Sequence, residues 1–168
     1  MKMKKRDNND NLDFRSLVTE HRSTIYSVCY MYAETKEEAD DLFQEALVNL
    51  WQGFEGFRGD CSPRSWIYRV SLNTCLTLRR KKRVKTVPLD LSADVFSDTS
   101  ATGRSNRMLH DRITRLEPFD RAIILLWLED MPYEEIVSIV GISVKALGVR
   151  LTRIRQKLKS LNTESTKH

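Results

Sequence analysis

The residues best suited to recognition chemistry lie near the end of the sequence, where basic side chains are concentrated. Residues 143–159 contain six Lys and Arg residues and no Asp or Glu. Guanidinium and ammonium groups donate hydrogen bonds to phosphate oxygens and to the acceptor atoms of guanine. This segment therefore predicts a nucleic-acid-binding surface; the plainer alternative is a terminal helix with a solvated basic face.

The spacing of apolar residues indicates which of these side chains face outward. Apolar residues recur every three or four positions, which is the period of one helix face: Val144, Leu147, Leu151, Ile154 and Leu158. The solvent side then carries Lys145, Val149, Thr152, Arg153 and Gln156, flanked by Arg150, Arg155 and Lys157. We expect Lys145 and Arg153 to reach guanines or phosphates, and Thr152 to touch a thymine methyl group.

A short helix and a tight turn precede this basic helix. Pro132 begins the short helix, whose apolar residues are Ile136, Ile139 and Val140. Gly141-Ile142-Ser143 forms the turn, and Ser143 is the predicted N-cap of the next helix. Together these parts constitute a helix-turn-helix, whose second helix enters the major groove of DNA.

A second cluster of charge is acidic. Between Glu37 and Phe57 the sequence has six acidic residues and no Lys or Arg. Glu37, Asp41 and Glu45 are four residues apart, so their like charges lie on one helix face, which costs an isolated helix about 0.2–0.5 kcal/mol for each pair. Such a face is either a docking surface for a basic partner or a solvated surface, and the spacing alone favours neither.

The segment after the acidic cluster is rich in glycine and aromatic residues. Residues 53–59 contain three glycines and two phenylalanines, and they lead into an apolar helix that includes Trp66. Aromatic rings beside basic groups stack unpaired bases, so this loop is either a candidate single-strand site or a plain interhelix loop. Trp66 itself is expected to lie in the core. Asn73 lies at the edge of the apolar stripe, where its amide needs a partner. Residues 79–83 are five consecutive bases.

Helical patterns account for both halves of the chain, without a competing strand pattern. Thr35 and Glu38 form a capping box before a second helix, and Ser62-Pro63 opens a third. Residues 86–103 instead hold three Asp, no base and many Ser, Thr and Ala. We therefore predict an all-α chain: a helical domain over 12–83, a flexible acidic linker over 84–107, and a second domain over 108–161 with the helix-turn-helix. Residues 1–11 and 161–168 are expected to be disordered.

Several function classes are excluded at this point. Cys29, Cys61 and Cys75 are widely spaced without a nearby His, so we expect neither a zinc knuckle nor a disulfide framework. The apolar setting of His21 predicts a core histidine and not a ligand. No nucleophile, metal cluster or phosphate-binding loop is recognisable, so we expect no enzyme activity and no cofactor. The start is not a secretion signal, and no apolar run approaches the roughly 18–20 residues that span a bilayer, so we expect a cytoplasmic protein.

Taken in order, the motifs resemble the extracytoplasmic-function (ECF) sigma factors of bacterial RNA polymerase. The resemblance covers about residues 12–83 and 108–160. The front half carries it through Asp40-Asp41-Leu42-Phe43-Gln44-Glu45, Phe57-Arg58-Gly59-Asp60, and Trp66-Ile67-Tyr68-Arg69-Val70 with Asn73. The rear half carries it through Tyr133-Glu134-Glu135-Ile136, Gly141-Ile142-Ser143, and the run from Arg150 to Leu158.

The resemblance implies a promoter-specificity subunit that binds core RNA polymerase and directs initiation at minus-35 and minus-10 elements. The helix-turn-helix alone leaves one alternative, a stand-alone transcriptional regulator. The implied contacts with the clamp of the largest polymerase subunit come from Asp40, Asp41, Gln44 and Glu45. The implied minus-10 contacts come from Phe57, Arg58, Gly59, Asp60, Cys61, Ser62, Arg69, Asn73, Arg79 and Arg80. The implied minus-35 contacts come from Lys145, Val149, Arg150, Thr152, Arg153 and Lys157.

The resemblance also implies an anti-sigma protein as a partner, with no small-molecule substrate and no membrane insertion. Three positions depart from the family pattern. Gly148 stands where many relatives have a basic or polar base-contacting residue, and Val149 replaces a frequent serine. Pro63 replaces a common aromatic or polar residue beside the loop. Gly148 also costs about 1 kcal/mol relative to alanine inside a helix.

Overall fold

The computed structural model describes the backbone of residues 8–85 and 101–165 and the side chains of residues 13–82 and 107–162. Within these ranges the chain forms seven α-helices and no strand. The front half contains α1 (Asn8–Tyr32), α2 (Lys36–Phe54) and α3 (Pro63–Lys85). The rear half contains α4 (Ala101–Thr114), α5 (Pro118–Leu128), α6 (Tyr133–Val140) and α7 (Val144–Ser165). The predicted all-α fold is confirmed.

The three front helices enclose one apolar core. Its buried side chains include Ile25, Val28, Cys29, Leu42, Phe43, Ala46, Leu50, Ile67, Leu72 and Cys75. Trp66 is only 9% exposed, so its prediction as a core residue is confirmed. Trp51, near the end of α2, lies on the surface, with its ring edge-on to that of Phe14 and the two centroids 4.9 Å apart. His21 is half-buried on α1 and not fully enclosed.

Local capping decides where α2 and α3 begin. The Glu38 N–H donates to the Thr35 hydroxyl at 3.1 Å, as the capping box predicts. The Glu38 carboxylate accepts from the N–H of Glu34 at 2.8 Å, one residue earlier than the standard box. The Ser65 N–H donates to Ser62 Oγ at 3.1 Å, so Ser62 caps α3 with proline in the first helical position.

The rear helices α4, α5, α6 and α7 all contribute buried residues, which belong to the same hydrophobic cluster as those of the front helices. α6 ends at Val140 and is capped by Gly141, whose φ of 76° is left-handed and favours glycine. The Ala146 N–H donates to Ser143 Oγ at 3.1 Å, which makes Ser143 the N-cap of α7. The predicted helix-turn-helix is therefore present as α6, turn and α7. The apolar run of α5 is buried except toward its end, where Leu128 is 44% exposed.

The two halves lie against each other. α3 contacts α5 and α6, while α1 contacts α4. The Tyr32 hydroxyl donates to the Pro118 carbonyl at 2.7 Å. The buried Arg121 guanidinium donates to the Met31 carbonyl at 3.0 Å and to the Thr114 carbonyl at 2.7 Å. A single arginine therefore satisfies carbonyls at the ends of two helices, one from each half.

Helical backbone extends beyond several predicted bounds. α1 begins at Asn8, and α3 continues to Lys85 because no Gly or Pro interrupts its basic end. Residues 101–107, expected in the linker, and 161–165, expected to be disordered, are helical. Residues 86–100, the centre of the predicted linker, lie outside the described residues. No helix within the described ranges combines the length and apolar character needed to cross a membrane.

Candidate nucleic-acid and protein interfaces

α7 presents all of its predicted reading residues to solvent. The exposed side chains are Lys145, Val149, Arg150, Thr152, Arg153 and Lys157. Val149 is 49% exposed, so an apolar group lies among cations on this face, where it can contact a thymine methyl group. The helix therefore combines groups for phosphates, base acceptors and methyl groups on one accessible side.

Two arginines of α7 are held in place by α5. Arg150 Nε donates to Asp120 Oδ1 at 2.5 Å, and its guanidinium lies 4.7 Å from the centroid of the Phe119 ring. The Arg155 guanidinium lies 5.3 Å from the centroid of the Trp127 ring. Stacking on an aromatic face restricts these long side chains before any ligand arrives. If Arg150 binds a phosphate, its guanidinium must either contact Asp120 and the phosphate together or give up the ion pair with Asp120.

The helix does not need glycine at position 148 for its own packing. A Cβ added at Gly148 would have no other atom within 4 Å. The Gly148 carbonyl accepts the Thr152 hydroxyl at 3.0 Å, so this hydroxyl hydrogen is already used within the helix. The exposed face of α7 therefore has no side chain at Gly148. Beside it, the hydroxyl oxygen of Thr152 can still accept a hydrogen bond.

The acidic face of α2 is open. Asp40, Asp41, Gln44 and Glu45, the residues predicted to contact polymerase, are all exposed. Asp40 Oδ1 accepts from the Tyr26 hydroxyl at 3.1 Å. Partial burial, and then the hydrogen bond to Asp40, raise the pKa of Tyr26, so this phenol remains a donor. The described contacts therefore orient one carboxylate and leave the face accessible.

A groove of about 270 Å³ runs between this acidic face and α3, lined in part by Asp41, Glu45, Cys75, Arg79 and Lys82. Lys82 Nζ donates to Glu38 Oε1 at 3.0 Å, so Glu38 is neutralised within the chain. Contact with Cys29, and then burial, raise the pKa of the Cys75 thiol. Cys75 is therefore a protonated core residue and not a reactive thiolate.

The glycine-rich loop has one ordered aromatic ring. Phe57 is half-buried and stacks on Trp66, with centroids 4.9 Å apart and planes inclined by 28°. Phe54 belongs to the end of α2 and not to the loop. The remaining predicted loop contacts, Arg58, Gly59, Asp60 and Ser62, are exposed, and Cys61 is half-buried. Phe57 therefore gives the loop an aromatic surface that is fixed from behind by the core.

The structure separates the predicted minus-10 residues of α3 into two groups. Asn73 and Arg80 are exposed, and Asn73 therefore needs no partner within the protein, contrary to the reason first given for singling it out. Arg69 Nη2 donates to Ser138 Oγ at 3.0 Å, and Arg79 Nη1 donates to the Tyr32 carbonyl at 3.1 Å. These two arginines are engaged within the chain.

Among residues with described side chains, no group of three or more His, Cys, Asp and Glu residues could hold a metal ion.

Two family models match the chain. Sigma-70 region 2 matches residues 17–84, and Sigma-70, region 4 matches residues 106–158. The first match covers the domain with the acidic face and the loop, and the second covers the domain with the helix-turn-helix. A stand-alone regulator that has only a helix-turn-helix would not account for the match to Sigma-70 region 2.

Curated relatives indicate which group of sigma factors the chain is similar to. The chain is 26% identical to the ECF RNA polymerase sigma factor SigG of Mycobacterium tuberculosis, over 89% of this chain and 48% of SigG. It therefore spans about half the length of that relative. It is also 26% identical to the RNA polymerase sigma factor SigV of Bacillus subtilis, over 89% of each chain. The chain belongs to the ECF sigma factors. A sigma factor is a transcription initiation factor and not an enzyme.

Solved structures share the fold of this sigma factor. CnrH in complex with the cytosolic domain of CnrY matches 90% of this chain and 88% of its own, with a TM-score of 0.67 and 24% identity. The sigma factor RpoE from Bartonella quintana, in complex with the anti-sigma factor NepR, matches 90% of this chain and 97% of its own. That second match has a TM-score of 0.69 and 16% identity.

Sequence reasoning missed the residues that connect the two sigma domains: Arg64, Ser65, Arg121, Glu129, Glu135 and Ser138. Arg121 had a local signal, since it is a charged residue directly before the buried run of α5, where a charge must find partners. In the sequence the other five residues have no feature that sets them apart from other polar positions. Only their contacts across the domains distinguish them.

Proposed function

We propose that this sigma factor is a dissociable promoter-specificity subunit that binds core RNA polymerase and directs initiation at minus-35 and minus-10 elements. The observation that carries the proposal is the position of its two charged surfaces. The carboxylates of α2 and the cations of α7 are exposed on different domains. One chain can therefore hold a basic protein surface and DNA simultaneously.

The front domain, residues 12–83, is the part proposed to bind core polymerase. Asp40, Asp41, Gln44 and Glu45 would contact the clamp of the largest subunit. Like charges spaced along one helix repel one another, and cations from a partner would relieve that repulsion. The bond from Tyr26 orients Asp40 before docking, which reduces the entropy lost on binding.

The loop and α3 are proposed to capture the minus-10 element. Extruding a base costs about a few kcal/mol, so the protein must offer contacts of similar strength. The ordered Phe57 ring supplies a stacking surface, and exposed loop residues surround it. The proposed contacts are Phe57, Arg58, Gly59, Asp60, Cys61, Ser62, Arg69, Asn73, Arg79 and Arg80.

The rear domain, residues 108–161, is proposed to read the minus-35 element. α7 would lie in the major groove, as the second helix of a helix-turn-helix does. Lys145, Val149, Thr152 and Arg153 would face the bases, and Arg150 and Lys157 would hold phosphates. In this proposal residues 84–107 link the two domains.

We further propose that the protein works in the cytoplasm and that an anti-sigma protein controls it. The anti-sigma proposal is supported by the structural neighbour RpoE, which was solved in complex with the anti-sigma factor NepR. A pull-down of the full chain from its native host should recover polymerase and, before induction, an inhibitory protein. Recovery of polymerase alone under all conditions would contradict the anti-sigma proposal.

Charge reversal on α2 tests the polymerase-binding proposal. Asp41→Lys with Glu45→Lys should weaken binding of the full chain to purified core polymerase, while binding of the free chain to duplex DNA persists. The control is Glu20→Lys with Glu134→Lys, which makes the same charge change at exposed positions outside α2. Equal losses in both pairs, or no loss in either, would contradict the docking surface. A wild-type chain that binds DNA but never core polymerase would support a stand-alone regulator.

A further inference from the structure

Thr152 differs in its hydrogen-bonding chemistry from the other residues proposed to contact the minus-35 element. The other five carry donors only or are apolar. They are Lys145, Val149, Arg150, Arg153 and Lys157. Within this set, only the side chain of Thr152 can therefore bind a base atom that donates a hydrogen bond, such as an exocyclic amino group.

The hydroxyl of Thr152 is held in one orientation. Its Oγ1 donates to the Gly148 carbonyl at 3.0 Å. A hydroxyl has one hydrogen and two acceptor lone pairs, so this bond leaves the oxygen as an acceptor toward any ligand. Thr152 is exposed, so the edge of a base can reach that oxygen.

Gly148 keeps the space beside this oxygen open. Residues four apart are neighbours on a helix surface, so a side chain at position 148 would lie next to Thr152. A Cβ built at Gly148 would meet no atom within 4 Å, so packing within the described chain does not require glycine there. Glycine is also less favourable inside a helix than almost any other residue. A ligand that fills the space would account for a residue that the helix itself does not need.

We propose that Gly148 and Thr152 form an acceptor notch, which binds the exocyclic amino group of an adenine or a cytosine in the minus-35 element. The notch consists of Thr152 Oγ1 and the open space beside it at Gly148. Adenine N6 or cytosine N4 donates to Thr152 Oγ1. A guanine or a thymine at the same place would present its own oxygen, and two acceptors repel each other. The inference rests on the proposed function, which places α7 in the major groove, and adds which base atoms one residue reads.

The cations around the notch have the complementary chemistry. Lys145 and Arg153 are exposed and can donate to the acceptor atoms of guanine. Arg150 is already paired with Asp120 of α5, which leaves its guanidinium suited to a phosphate at the edge of the groove. The helix therefore carries donors for some base pairs and one acceptor for another, so that neighbouring base pairs of different identity are distinguished.

Deleting single amino groups from the DNA tests the notch. Core polymerase carrying the full chain first selects its sequence from a library of duplexes with a randomised segment. Each adenine of the selected duplex is then replaced by purine, and each cytosine by pyrimidin-2-one, one position at a time, because these analogues lack the amino group. Fluorescence anisotropy should show one position at which the change weakens wild-type binding about tenfold, the effect of one lost hydrogen bond.

Two substitutions at Thr152 separate its oxygen from its methyl group. Thr152→Val keeps the branched shape and removes the oxygen, so deleting the same amino group should then change affinity less than about twofold. Thr152→Ser keeps the oxygen and should retain the effect. The control is Gln156→Met, which removes another exposed acceptor one turn further along α7 and should also retain the effect. Weaker pairing of the analogue with its partner base is common to all variants and cancels in the comparison.

Filling the space at Gly148 is the second test. Gly148→Leu should weaken binding of the unmodified duplex about tenfold, because the base can no longer reach the Thr152 oxygen. It should also abolish the effect of deleting the amino group, and Gly148→Ala should have a smaller effect of the same kind. Urea denaturation should show both variants to be at least as stable as the wild type, since alanine and leucine favour a helix more than glycine does.

Several outcomes would overturn the notch. These are an amino-group effect that survives Thr152→Val, one that is lost in Gln156→Met, a wild type insensitive to every deletion, and unchanged binding by Gly148→Leu. If only replacement of a thymine by uracil distinguished Thr152→Ser from the wild type, Thr152 would instead read a thymine methyl group. In all these cases the proposed reading of the minus-35 element by α7 would still stand, whereas failure of the wild type to select any sequence would remove the proposed function itself.

Discussion

The two helices proposed to bind promoter DNA, α3 and α7, are in contrasting situations. The reading residues of α7 are exposed even where one of them, Arg150, is paired with Asp120. Arg69 and Arg79 of α3 are half-buried and donate to groups within the chain. α7 has one face turned to solvent along its length, while the start of α3 lies between the domains. The comparison teaches that a basic residue marks a candidate DNA contact, but its neighbours decide whether the contact is available in the free protein.

The largest effect is expected from Arg121→Met, which removes the guanidinium that joins the domains. The carbonyls of Met31 and Thr114 would lose a charged donor in a buried place. We expect the free energy of unfolding to fall by about 3 kcal/mol or more, measured by urea denaturation. The exposed Arg115→Met is the control and should change it by less than about 0.5 kcal/mol. Comparable losses in both variants would show that the buried contacts contribute little.

A paired substitution addresses the contrast between the two helices directly. Arg153→Ala should lower the affinity of the free chain for its minus-35 duplex by about 1–3 kcal/mol, because the side chain is open to DNA. Arg69→Ala should leave that affinity unchanged, since the residue is covered and lies in the other domain. Fluorescence anisotropy with a mapped promoter duplex measures both. An equal loss from both substitutions would contradict the assignment of α7 as the reading helix.

The two glycines of the helix-turn-helix should respond oppositely to alanine. Gly148→Ala should raise the free energy of unfolding by about 1 kcal/mol, because helix propensity improves and the added Cβ meets nothing within 4 Å. Gly141→Ala should lower it by about 1 kcal/mol or more, because its φ of 76° disfavours a side chain. Urea denaturation measures both changes. If Gly148→Ala stabilises the protein but weakens duplex binding, then close approach of DNA explains the glycine.

The smallest effect is expected at high pH, at Tyr68 of α3. Burial, with Glu129 adding to it, raises the pKa of Tyr68 from about 10 to about 12. A raised pKa in the folded protein means that its stabilisation is complete below pH 10 and is lost as the pH rises through 10 to 12. Tyr68→Phe should therefore lose less stability than the wild type between pH 8 and pH 11. The exposed Tyr133→Phe is the control, and an identical pH dependence in both variants would contradict the assignment.

Much of the fold followed from local patterns. The periodicity of apolar residues predicted the helices, and the capping residues Thr35, Ser62 and Ser143 predicted three of their beginnings, because a cap depends on residues only three positions away. The same periodicity placed the α7 cations on the solvent side. It gave a wrong reason for Asn73, since the edge of a stripe on a helix does not decide whether a neighbouring helix covers it.

Such local patterns could not predict the contacts between the two domains. Ser65 and Glu135 are 70 positions apart, and their hydrogen bond depends on how two complete domains meet. In the sequence, Arg64 and Arg69 near the beginning of α3 therefore could not be distinguished from other exposed positive charges. The partner of Arg64 is Glu129, in the turn after α5, and the partner of Arg69 is Ser138 of α6.

The amino-acid sequence by itself determined the helices, their caps, the separation of acidic from basic surfaces and the resemblance to sigma factors, because each depends on spacing along the chain. Tertiary structure alone decided which charged groups remain available. It left Asp41 and Glu45 of α2 and Lys145 and Arg153 of α7 exposed. It joined Arg64, Arg69 and Arg121 to acceptors from the other domain. The physical reason is that hydrogen bonds and ion pairs act over a few ångströms of space, whatever the distance along the sequence.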